Sequence, residues 1–441
     1  MNNDLSSIRD GWLDASTDDA EARAITRLRI SVRGEQIARN KTNRAGIESE
    51  AINTSLLPLA EFLANNWWPL LYEPIRPSLD DGFRIRHRLD SGMRGYAFPP
   101  IALWSAGEQA IAADWAAFSN PFSTVSFLAP QPNEPVQLKR AGVEDDLADL
   151  IETVLERTSG ASKNLADAWE RVTMSISEAD ERAYCIAAGR LGLDPYDPDA
   201  PDLGQWAAGI PDELFGDVSE IVEVRELEEA AEWVREYETR LRLFPETELS
   251  YFGEPVPDLL DGSAGSIGHH SAIRLRAYAV LPTEDPRSAV DHLLGGVIAE
   301  GSQLAAEGPS GITALVQKNG TSARIGTVAR SARQRRFRAC AAAYMAWTSR
   351  NDEDRAATEA TTRRQQASRA FAAEMLAPQQ ALLARATRFG FDGDDLEDLA
   401  SEYICPFETV MWQAVRAGIP LRGIEIPQGH RPEVITAQHV A

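Results

Sequence analysis

Hydrophobic positions along this chain switch between a period of two and a period near 3.6, and the switches mark its elements. Residues 28–38, LRISVRGEQIA, alternate like two short strands around Arg33-Gly34, and 45–54 continue in the same style. Residues 56–71, LLPLAEFLANNWWPLL, turn to a helical period, with Leu59, Phe62, Leu63 and Asn66/Trp67 on one face. Pro58 suits the start of that helix and Pro69 limits its end. Residues 83–88, FRIRHR, read as a strand with Arg84, Arg86 and Arg88 on one face and His87 on the other. Another strand is predicted at 122–128.

From 143 to 243 the period is almost wholly helical, broken at 192–198 by GLDPYDP. Ser177 and Asp180 have the spacing of a capping box opening one of these helices. A loop-rich junction covers 245–266, after which helical runs begin at 272 and 286. Two alternating runs, 313–317 and 323–327, flank Lys318-Asn319-Gly320, a hairpin signal. Two Ala-rich helices follow. Residues 335–347, RRFRACAAAYMAW, place Phe337, Cys340, Tyr344 and Trp347 on one face, and 364–376, RQQASRAFAAEML, stop before Pro378. Asp392-Gly-Asp-Asp395 reads as an N-cap turn before a helix at 394–403.

The pattern predicts an α+β chain in segments: an acidic flexible leader over 1–24, and a mainly-β or α+β domain over 25–142, without a catalytic motif. A helical linker domain (143–244), a helical domain with a small sheet (266–420) and a mobile tail (421–441) complete it.

Composition narrows the function classes. No apolar run reaches 18 residues, so no membrane-spanning helix is expected. The opening MNNDLSSIRDGWLDASTDDAEA lacks a basic-then-apolar signal, which favours a cytoplasmic protein. Cys185, Cys340 and Cys405 are scattered and read as reduced core thiols. A net charge of −23 disfavours a nucleic-acid partner. The charge is uneven, however. Residues 330–369 hold ten Arg against four acids, whereas 211–240 hold eleven acids against three Arg. Arg333, Arg335, Arg336, Arg338, Arg363, Arg364 and Arg369 are therefore candidates for binding an anion or an acidic protein segment. The acidic helix at 223–241 reads as a solvated face or a partner-binding helix.

A basic-Phe helix followed by Phe371-Ala-Ala-Glu-Met-Leu-x-Pro378, behind a hairpin and two helices, resembles the ImmA/IrrE family of metallopeptidase-like proteins. The resemblance spans residues 266–420, under half the chain, and implies a zincin-like domain closed by a pair of short helices near 399–419. It also implies a zinc site built on His-Glu-x-x-His and a later Glu. The corresponding positions here are Ala341, Ala342, Met345 and Gln365. No histidine lies between His292 and His430, and adjacent His269 and His270 diverge by about 100° on a helix. His430 and His439 fall in the tail. The expectation is thus a catalytically inactive relative, with neither metal nor cofactor, that binds a regulatory protein partner in a regulatory or defence-linked setting. Two alternatives stand beside it: a metallopeptidase whose ligands come from elsewhere, and an anion or nucleic-acid sensor using the Arg cluster.

Overall fold

The computed structural model describes residues 5–12, 19–76, 81–120, 123–258, 260, 262–299 and 302–426. Its architecture is mixed α+β, with several small sheets among many helices. The chain divides into two units, one running to Leu203 and the other beginning at Gly204. The calls for His430 and His439 lie outside the described residues.

In the first unit, strand Ile25–Val32 buries Thr26, Leu28, Ile30 and Val32, the alternation its sequence predicts. It pairs with Ile52–Ser55 and with Leu5–Trp12. Residues 5–12 are therefore part of the sheet, not of a leader, because the chain inserts Leu5 into the same core. Helix Leu57–Asn65 packs on Arg140–Thr158 and Lys163–Ser177, and Trp67 meets Trp169 edge-on at 5.0 Å. Residues 81–87 form a helix rather than the expected strand. Phe83 and His87, four apart, stack at 3.9 Å on the buried side. That i,i+4 pair outweighs the two-residue alternation of the arginines.

The helices expected as a separate linker domain are divided between the units. Arg140–Thr158, Lys163–Ser177 and Ala179–Arg190 bury Val143, Leu147, Ile151, Leu165, Trp169 and Cys185 in the first core. Asp212–Ser219 and Leu227–Leu241 belong to the second unit. Each amphipathic helix joins whichever sheet lies near enough to cover its apolar face, so helical composition alone sets no domain boundary. Ser177 does not cap: its hydroxyl donates to Met174 O inside the preceding helix.

The second unit is built on a five-stranded sheet. Ile312–Asn319 and Ser322–Val328 form the predicted hairpin, and Gly320 takes φ +58 as the first residue of its two-residue loop. Arg355–Thr358 pairs antiparallel with Ile312–Asn319 at one end of the sheet. Glu246–Glu248 and Gln303–Ala305 share the far side of Ser322–Val328, the latter in parallel. Helix Ala332–Thr348 lies across the sheet, beneath Arg363–Leu376. The Asp392 N-cap is present as a reciprocal capping box with Asp395. Residues 421 and 422 are anchored rather than mobile: Leu421 bridges Phe391, and Arg422 donates to Asp392 at 3.0 Å.

Candidate functional site

Helix Ala332–Thr348 opens at Ser331, whose hydroxyl accepts from Gln334 N at 3.2 Å. From Ala339 to Trp347 every residue is buried, so this helix is covered on all sides and not on a single face. Small alanines permit that closeness. The sheet lies against one side, while Phe371 of Arg363–Leu376 packs on Tyr344 and Trp347 at 5.3 and 6.0 Å between ring centres. Trp347 Nε1 donates to Gly253 O at 2.8 Å, fixing the helix end.

Helix Ala264–Tyr278 lies directly on Arg363–Leu376, with Gly268 at the crossing. A β-carbon on Gly268 would collide with the carbonyl oxygen of Ala367. The two backbones touch, and no side chain separates them.

The four positions where the resemblance calls for zinc donors are Ala341, Ala342, Met345 and Gln365, and none is more than 3% exposed. They present two methyls, a thioether and an amide. Gln365 is already engaged at both ends, accepting from Thr358 N at 2.9 Å and donating to Ala356 O at 2.8 Å. This donor set does not fit a zinc ion. Among the described residues, no three His, Cys, Asp or Glu side chains stand close enough to share a metal. His269 Nδ1 lies 3.1 Å from Glu374 Oε2, off the angle of a hydrogen bond. Glu374 is held in place structurally by Gln413 Nε2 at 2.7 Å and Gln379 N at 3.3 Å. His270 donates through Nδ1 to Ser266 O one turn back, and His292 is exposed.

The candidate arginines do not converge on one pocket. Arg333 pairs with Glu397 at 2.8 Å, and Arg335 donates to Gln303 at 3.1 Å. Arg336 binds Asp291 and the Arg287 carbonyl, and Arg338 the Val328 carbonyl. Arg363 joins Asp258 at 2.6 Å and Gly262 O. Arg364 donates to Thr348 O, and Arg369 to Thr358 O and Ala360 O. Buried and half-buried guanidinium groups take local partners, which scatters the cluster over different elements. Local sequence charge does not reveal that scatter.

Other polar centres escaped the sequence reading. Asp217, 2% exposed, receives both ends of the Arg355 guanidinium at 2.8 Å and also Ala356 N at 2.8 Å. In the first unit, Glu73 accepts from Arg86 at 2.8 and 2.9 Å, and lies 3.0 Å from His87 Nε2. His87 Nδ1 donates to Leu103 O at 2.6 Å. Burial alone would raise the Glu73 carboxyl, but His87 and Arg86 overcome it and bring it down to about 2. The only sequence signal for either centre is a charged residue set within an apolar stretch.

The thiols are all buried. Burial pushes Cys185 up to about 11, and Cys340 and Cys405 up to about 12, so none offers a thiolate near neutrality.

Comparison with protein-family models, curated proteins and solved structures returned no match.

Proposed function

We propose that residues 266–420 form an ImmA/IrrE-like, zincin-like domain that has lost its peptidase centre, in a protein that acts as a regulatory or defence-linked binding subunit. The observation that carries this reading is the state of Ala341, Ala342, Met345 and Gln365. All four are core residues, and the one polar side chain among them is bound at both ends to a strand. Hydrolysis by a zinc-activated water has no donor set there. The surrounding order of elements supports the same reading: two helices, a hairpin, the Ala332–Thr348 helix, the Arg363–Leu376 helix and a closing helical pair. The partner would be a protein of the regulatory class on which ImmA/IrrE relatives act. The Arg-cluster sensor receives less support, because its guanidiniums already serve carbonyls and carboxylates of this chain.

Two measurements test the proposal. Protein purified without added metal should contain no stoichiometric zinc, and incubation with candidate regulators should give stable complexes without chelator-sensitive cleavage. Stoichiometric zinc that is lost when His269 and His270 are replaced, or cleavage stopped by a chelator, would overturn it.

A further inference from the structure

Among the described residues, the strand Arg355–Thr358 ends its sheet, paired only with Ile312–Asn319. Its outward backbone groups ought therefore to be open. They are instead filled, one after another, by side chains. Ala356 N donates to Asp217 at 2.8 Å, and Ala356 O accepts from Gln365 Nε2 at 2.8 Å. Thr358 N donates to Gln365 Oε1 at 2.9 Å. Thr358 O and Ala360 O accept from Arg369 at 2.8 and 2.9 Å. This alternation of acceptor, donor, acceptor and donor is what a neighbouring strand would present.

We infer that Asp217, Gln365 and Arg369 act together as a surrogate strand that closes this sheet edge, with the Gln365 amide as its indispensable clamp. A carboxylate only accepts and a guanidinium only donates, whereas an amide does both from one planar group. Gln365 is 1% exposed, so a lost bond there is not replaced by bulk water. A glutamate at this position would set a second acceptor against Ala356 O. The amide is thus selected by the strand edge, whether or not the domain descends from a peptidase, and the inference stands apart from the proposed function. It also predicts that the sheet accepts no further strand here, so any protein partner engages another surface.

The test compares Gln365→Glu and Gln365→Met with wild type by thermal unfolding and amide hydrogen exchange, at pH 8 and pH 5.5. In Gln365→Glu at pH 8, repulsion between the carboxylate and Ala356 O should force the side chain off the strand, so that the Thr358 amide exchanges at least tenfold faster than in wild type. The gap should narrow at pH 5.5. Facing a carbonyl oxygen in the core raises the introduced carboxyl's pKa above its unfolded value, so stability returns as pH falls and the protonated group donates again. Gln365→Met, which fills the space without hydrogen bonds, should show the same loss at both pH values. Should Gln365→Glu fail to fold at pH 8, refolding at pH 5.5 supports the clamp, and failure at both pH values overturns it. Wild-type protection in either variant at pH 8, or an equal gap for Gln365→Glu at both pH values, also overturns it.

Discussion

Val280 follows helix Ala264–Tyr278 with φ +52 and is 88% exposed. Leu281 N reaches back to Arg276 O at 2.9 Å, which fixes Val280 in the left-handed slot that glycine usually fills. A β-branched side chain is strained there and gains nothing from burial. Val280→Gly should raise stability by about 1 kcal/mol, less the entropy that glycine adds to the unfolded chain, seen as a higher urea midpoint at unchanged slope. Asp217 represents the opposite case. Asp217→Asn leaves Arg355 charged and buried, and should lower stability by roughly 3–5 kcal/mol. Asp217→Leu with Arg355→Met should recover much of that in the same urea titration. The remaining deficit, about 1–3 kcal/mol, belongs to the Ala356 N–H left without an acceptor.

At the scale of elements, much was readable wherever a hydrophobic period was long and unambiguous. The helices at 332–348 and 363–376, the 312–328 hairpin and the Asp392 cap all stand where periodicity and turn chemistry put them. The alternation at 83–88 predicts a strand where 81–87 form a helix, because six alternating residues cannot be told from one and a half helical turns until the partner of Phe83 is known. Ala341, Ala342, Met345 and Gln365 are legible as residue types. Their packing, and the use of Gln365 by a strand, depend on tertiary neighbours that local sequence does not encode. Gly268 illustrates the same point, since nothing in SIGHH announces a backbone crossing. Gly268→Ala should push helix Ala264–Tyr278 off Arg363–Leu376 and lower stability by about 2 kcal/mol, readable as a drop in Tm.

Across the whole molecule, acid acts on carboxyl groups whose pKa values are shifted in opposite directions. Glu73 has its carboxyl held at about 2 against an ordinary 4.5. Its contribution is fully present above pH 4.5 and fades as pH falls toward 2, a loss of roughly 3 kcal/mol. Asp146 runs the other way. Burial, aided by Asp145 and Asp149, lifts it to about 6, so its penalty disappears as pH falls from 6 toward 3.8. Urea titrations of wild type and Glu73→Gln at pH 7, 4.5 and 3 should show the wild-type advantage shrinking only below pH 4.5. An advantage that stays constant across that range would show that Glu73 stabilises by packing rather than by charge.

The buried cysteines carry a practical consequence. Cys185 lies in the first unit, and Cys340 and Cys405 in the second, all shut away from solvent as neutral thiols. A thiol reagent can modify them only when the surrounding core opens, so labelling becomes a clock for rare excursions. Mass spectrometry of the labelled peptides would time each unit's opening separately in one tube. The first unit would be read from one site and the second from two, and whether Cys340 and Cys405 react in step would show whether the second unit opens as a single body.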